Sequence, residues 1–172
     1  MKWRAFPLHP EIPEEGLLLR DLFADYSTVD IEKIRNRLRE TAADLGLPLR
    51  DRDKTFNSRR AQELGLWAGS TRRGDAFHNA VFRAYFVDGK NIARIDVLTG
   101  LAASVGLSPD EARDVLLTGA YSAAVDSDWA LSREKGVTAV PTFILENARL
   151  VGAQPYPVLA DFLEMQGVDR SQ

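Results

Sequence analysis

The 172-residue sequence contains no cysteine and only two histidines. Without cysteine there is no disulfide framework, no thiolate nucleophile and no sulfur-ligated metal in these residues. His9 and His78 lie far apart, so a zinc site would have to be built mostly from carboxylates, a donor set that zinc does not favour, and no metal site is expected. No apolar run follows a basic start, and none approaches the eighteen or so residues that cross a bilayer. The expectation is a soluble chain of the cytoplasm with no membrane partner. A basic excess is missing too: net charge is -3 and the pI about 5.5, which lacks the electrostatic footprint of a nucleic-acid binder. Arg50, Arg52, Arg59, Arg60, Arg72 and Arg73 form a local basic stretch, but Asp51, Asp53, Glu63 and Asp75 are interleaved with them, as on a solvated face.

Recognisable cofactor and catalytic motifs are also lacking. Gly69 and Gly74 in "GSTRRGD" have the glycine spacing of a phosphate loop, but Asp75 stands where a lysine is required and would repel phosphate. There is no dinucleotide fingerprint, nucleophile elbow or histidine pair on a helix, so no cofactor is expected. Asp126 and Asp128, two apart on a predicted helix, point in different directions and cannot act on one substrate atom.

What is present is one core's worth of apolar residues, 45% of the chain, arranged as helix after helix between strand-like ends. "KWRAFPLHP" reads as a short strand around Trp3 to Leu8 running into a turn. Ile31, Ile34, Leu38, Ala42 and Leu45 fall at helical spacing, with Asp30 as N-cap and Gly46 past the end. "NSRRAQELGLWAG" and "DAFHNAVFRAYFVDG" give two more helices, whose aromatic residues Trp67, Phe77, Phe82, Tyr85 and Phe86 read first as core. Two short helices follow, the second with a Ser108–Glu111 capping box and Pro109 at its first position. "AYSAAVDSDWALSREKG" is a further amphipathic helix closed by Gly136. The period then changes to that of a hairpin, with a strand at Val137 to Leu145, a turn at Glu146–Asn147–Ala148 and a strand at Arg149 to Val151. A last helix, with Val158, Leu159, Phe162 and Leu163 as its apolar stripe, is expected to cover the hairpin.

Pro141 interrupts the first hairpin strand. Proline cannot donate a ladder hydrogen bond, and from the residues alone a trans proline on an edge strand is the expected state, because only about 5% of X–Pro bonds are cis.

The block "GVTAVPTFIL...LVGAQPYPVLADFL" resembles the C-terminal half of a thioredoxin fold, specifically the DsbA-like family and its FrnE branch, near 2-hydroxychromene-2-carboxylate isomerases and kappa-class glutathione transferases. "WRAFPLHPEIPEEG", "NSRRAQELGLWA" and "DAFHNAVFRAYFVDGKNIARIDVLTGLAASVGL" are similar to the same branch, in the same order. The resemblance implies an α/β, thioredoxin-like fold in a single domain over 1–172. Residues 1–30 and 136–172 would form the thioredoxin-like part, and about 31–135 a mostly helical insertion and connecting helix. It implies a cis Val140–Pro141 bond, in a loop of Ala139, Val140, Pro141 and Thr142 that offers backbone groups to an extended polypeptide substrate beside a redox dithiol.

Family members carry a strand, a Cys-x-x-Cys or Cys/Ser loop at a helix N-terminus and that helix before the segment resembling "WRAFPL", which here follows Met1 almost directly. The expectation is therefore an incomplete thioredoxin-like fold without its active-site unit, with no catalytic residue and no redox activity of its own. Two functions follow from the resemblance: part of a thiol-disulfide oxidoreductase completed from elsewhere, or a non-catalytic polypeptide-binding, chaperone-like module. The absent central strand further leads to an expected homodimer, with an interface at Met1 to Leu8 or on the hairpin face.

Overall fold

The computed structural model describes residues 2–168. Met1, the first residue of the expected interface segment, lies outside them. Contacts divide the chain into two compact units, His9–Asp126 and Met1–Leu8 with Ser127–Gln172. Residues 9–30 thus group with the helical block and not with the hairpin.

The His9–Asp126 unit opens with β1 (Leu17–Leu18), paired antiparallel with β2 (Lys54–Thr55). Gly16 sits at φ +80°, and a Cβ there would come within 2.6 Å of the Thr55 carbonyl oxygen, so this turn admits glycine alone. A four-residue helix α1 (Leu19–Leu22) follows, then α2 (Thr28–Asp44). The cap of α2 is Ser27, not Asp30: the Ser27 Oγ accepts from the Asp30 N–H at 3.1 Å. No described residue of α2 is buried, and Ile34 and Leu38, with Leu45 just past its end, are each more than half exposed. On the neighbouring row of the helix, Arg39 binds Asp51 through two 2.8 Å hydrogen bonds and Arg35 approaches the same carboxylate.

The packed core comes from α3 (Arg59–Ser70), α4 (Gly74–Phe86), α5 (Ile95–Ser104) and α6 (Pro109–Thr118). Leu64, Trp67 and Ala68 meet Phe77, Ala84, Leu98, Leu101, Ala102, Ala112 and Leu116 in one apolar cluster. The Ser108–Glu111 cap forms, with the Glu111 N–H donating to Ser108 Oγ at 3.3 Å. Trp67 and Phe77 are core residues, Tyr85 and Phe86 are half-buried, and Phe82 is exposed, so the aromatic stripe of α4 is core only in part.

The chain passes through α7 (Ser122–Glu134) into the second unit. There β3 (Thr142–Leu145) and β4 (Ala148–Val151) form a hairpin, followed by α8 (Tyr156–Met165). Register pairs Thr142 with Val151 and Leu145 with Ala148, so the turn is the two residues Glu146–Asn147, with Glu146 at φ +52°. Ala148 belongs to the strand. Three sequence expectations fail here. Residues 2–7 form no strand, and the Ala5 N–H, which a ladder would have used, donates to the Asp128 carboxylate at 3.0 Å. The first hairpin strand starts at Thr142 instead of Val137, because residues 137–140 have no paired strand opposite them. Finally, α8 buries none of its residues; Leu159, Phe162 and Leu163 are only half-covered, short of a helix sealing the hairpin.

Candidate functional site

Ala139, Val140 and Pro141 form an exposed loop between α7 and β3, and half-buried Thr142 is the first residue of β3. The Val140–Pro141 peptide bond is cis. The Thr142 Oγ hydroxyl donates to the Ala139 carbonyl at 2.6 Å, closing the loop on itself, and the Gly152 N–H donates to the Pro141 carbonyl at 2.8 Å, tying it to the end of β4. Between these two ties neither backbone group of Val140 takes a hydrogen bond among the described residues, and the residue is 45% exposed. A free donor and a free acceptor on one exposed loop residue are the groups that an incoming strand pairs with.

The hairpin extends this surface. Residues opposite one another in an antiparallel pair share a face, so Thr142, Ile144, Arg149 and Val151 line one side, with Phe143, Leu145, Ala148 and Leu150 on the other. On the first side Ile144 and Val151 are exposed apolar groups, Val151 to 46%. Arg149 turns back to α7, where its guanidinium donates to the Gly136 carbonyl at 3.1 Å and to that of Lys135. This satisfies carbonyls left over at a helix C-terminus and places positive charge where the helix dipole favours it. The loop is thus held at one end by α7 and at the other by β4.

Sequence reasoning missed the group that fixes the N-terminal segment of this unit. Asp128 is 4% exposed and accepts from Arg4 Nη1 at 2.7 Å as well as from the Ala5 N–H. Its partner lies 124 residues away, so no local pattern reveals it. Asp126, two residues earlier, binds Arg59 at 2.8 Å. The two carboxylates do diverge, as their spacing on a helix requires.

In the helical unit a second polar group was also unread. The Asn57 side-chain amide donates to the Pro10 and Ile12 carbonyls, at 3.0 and 2.8 Å, while its oxygen accepts from the Arg59 N–H. Buried Glu63 accepts from Arg59 Nε at 3.1 Å and Ser122 Oγ at 2.8 Å. The Asp126 hydrogen bond, followed by the pairing with Glu63, raises the Arg59 pKa. The i,i+4 spacing of Arg59 and Glu63 was the available signal. Glu14, Asn57, Arg59, Arg60 and Ala93 line a cleft of about 220 Å³, and Arg60 in turn binds Glu14 at 2.6 Å. Every charge there is already matched, as befits a clasp. Among the described residues no group of three or more His, Asp or Glu is placed to hold a metal ion.

The model of the DSBA-like thioredoxin domain matches residues 1–164. This chain belongs to the DsbA-like thioredoxin family. A solved probable DsbA oxidoreductase from Streptomyces coelicolor is 26% identical, with a TM-score of 0.86 over 98% of this chain and 76% of its own. A solved chain from Nitrosomonas europaea, 16% identical with a TM-score of 0.64, covers 81% of this chain and 74% of its own and shares the fold. The Bacillus subtilis protein YwbO is 34% identical over 88 residues, which is 51% of this chain and 44% of that relative. The chain thus matches less than half the length of that curated relative. The α/β thioredoxin-like class holds. No helix among them is long and apolar enough to cross a membrane.

Proposed function

We propose that this chain is a FrnE-like member of the family that binds extended polypeptide at the Ala139–Thr142 loop and, as these 172 residues stand, performs no thiol-disulfide exchange. The observation that carries the reading is the open backbone of Val140 beside the exposed apolar groups Ile144 and Val151, a surface suited to adding a strand. Exchange proceeds by attack of a thiolate on a disulfide sulfur, and the sequence contains no thiol to make that attack. The cytoplasm is the compartment assigned in this reading, and a homodimer its assembly, formed over the half-covered hairpin face or the segment 1–8.

Fluorescence anisotropy with a labelled, unfolded, cysteine-free peptide tests the binding. Val140→Asp and Val151→Asp should each weaken it about tenfold, by placing a charge where an apolar or backbone contact forms, while Leu117→Asp on the helical unit leaves it unchanged. Equal affinity in all three variants refutes the loop as the site. In parallel, the chain alone should not reduce insulin disulfides above background, and turnover would overturn the inactive reading. Light scattering on the same sample should give twice the chain mass; a monomer at micromolar concentration removes the dimer.

A second reading has its own support. The Streptomyces relative is matched over only 76% of its length, so the same loop could serve an oxidoreductase whose thiol comes from outside these residues. In-frame upstream coding for Cys-x-x-Cys decides for it.

A further inference from the structure

The segment Arg50 to Phe56 runs between two anchors, with a bend at Asp53. The Arg50 N–H donates to the Phe86 carbonyl at 2.9 Å, and the Asp53 carbonyl accepts from Leu19 at 2.8 Å before β2 pairs with β1. Arg50, Arg52 and Lys54 are the cations of this segment. All three line one cleft of about 440 Å³, walled on its apolar side by Leu18, Phe56 and Tyr85. Among the described residues none of the three cations takes an ion pair.

Arg52 is the unusual member. Its guanidinium carbon lies 4.2 Å from the centroid of the Tyr85 ring and 5.2 Å from that of Phe86. Tyr85 is itself held, its hydroxyl 2.9 Å from Thr55 Oγ1 and its ring edge-on to Phe86. Nη1 of Arg52 is buried with no hydrogen-bond partner, and no other atom of the side chain finds a protein acceptor. A guanidinium carries five N–H donors in a planar fork and is seldom taken out of water without an anion. Burial lowers the Arg52 pKa with no acidic neighbour opposing it.

Nor do the two carboxylates of the cleft supply what is missing. Asp51 is already taken by Arg39 and Arg35, which reach it from α2. Asp53 is exposed and makes no ion pair with any of the three cations. In a chain of net charge -3, three unmatched cations on one cleft stand out against their surroundings.

We propose that this cleft binds an oxyanion, the carboxylate or phosphate group of a small ligand, with Arg52 as the fork that receives it, Arg50 and Lys54 as flanking charges, and the Leu18–Phe56–Tyr85 wall against the ligand's apolar part. Stacking on Tyr85 pre-orients the fork, and bidentate pairing with a planar or tetrahedral oxyanion is the chemistry for which arginine is suited. The inference is independent of polypeptide binding at the Val140 loop.

The test is titration of the full chain with inorganic phosphate and, separately, succinate, followed by calorimetry and by the Arg52 Nε–Hε resonance in ¹⁵N NMR. At least one should bind with a dissociation constant in the low millimolar range or tighter and shift that resonance. Response to phosphate alone assigns a phosphate ligand; response to succinate alone or to both assigns a carboxylate-competent site. Arg52→Gln should weaken binding about tenfold or more, and Arg113→Gln, an exposed arginine of α6, should leave it unchanged. No response to either ion up to about 50 mM, or undiminished binding in Arg52→Gln, overturns the proposal. Should Arg52→Gln lose its helical signal, Arg52→Lys keeps charge and stem without the fork, and undiminished binding there overturns it equally.

Discussion

The two units of this chain are stabilised by different physics. Every fully buried hydrophobic residue among those described lies between His9 and Asp126, with Leu64, Phe77, Leu98 and Val125 wholly out of water. In the unit of the hairpin the buried side chain is a charge, Asp128, and its apolar groups Phe143, Leu145, Leu150, Leu159 and Phe162 are half-covered. The helical block therefore offsets its conformational entropy with a closed core of its own. The hairpin unit relies on ladder bonds, the Arg149 tie to α7 and the Asp128 clasp, and a two-stranded hairpin is marginal alone. Half-covered apolar faces on the second unit suit association, which is why polypeptide binding and dimerisation are both proposed for it.

Truncation breaks this contrast most sharply. Phe77→Ala should destabilise the helical unit by about 3–5 kcal/mol, because the cavity it leaves is enclosed on all sides. Phe143→Ala removes the same side chain from a half-covered site and should cost less than about 2 kcal/mol. Urea denaturation followed by helical circular dichroism and by hydrogen exchange of the hairpin amides measures both. Equal losses would mean that the hairpin has a core as complete as that of the helices.

The sequence made the helical unit readable because its determinants are local. Gly46, Gly119 and Gly136 all lie just past helix ends with positive φ, and Ser108 caps α6 as its spacing with Glu111 requires. The apolar stripes of α3, α5 and α6 point where their period puts them, and that of α4 does so in part. Misreadings occurred where a distant polar partner overrode a local pattern. Trp3 to Leu8 lost its strand while Asp128 took the Ala5 N–H, and the apolar spacing of Ile34 and Leu38 marked a helix but not its exposure. The positions of the candidate loop came from the family resemblance of "GVTAVPTFIL" and from no spacing rule. Its open backbone at Val140, like the solitary fork of Arg52, is a property of what fails to arrive from elsewhere in the fold, which sequence periodicity does not encode.

The two aspartates of α7 give a smaller and more selective test. Asp128→Ala leaves the Ala5 N–H without its acceptor and releases Arg4, whose side chain is half-exposed and can return to water. The expected loss is about 2 kcal/mol, confined to the hairpin unit and seen as faster exchange of its amides. Asp126→Ala breaks an exposed pair with Arg59 and should cost less than about 1 kcal/mol. If the two variants behave alike, Asp128 is not the clasp that its burial indicates.

The smallest effect sharpens the comparison through pH. His78, half-buried on α4 beside Phe82, has its pKa lowered by burial, an effect that the charge of Asp75 opposes only in part. The folded state then holds this proton less tightly than the unfolded chain, whose histidine titrates near 6.5. Unfolding takes up the proton, so stability rises with pH across this window. The contribution is complete above about pH 6.5 and is lost as pH falls through the lower folded value. The helical unit should therefore weaken between neutral pH and pH 5, with a slope that His78→Gln flattens. Thermal melts at pH 7, 6 and 5 under helical circular dichroism read this directly. The hairpin unit carries no histidine, so its amide exchange, corrected for intrinsic rates, should show no matching step across that range. A slope unchanged in His78→Gln would move the acid sensitivity to the carboxylate pairs and away from this ring.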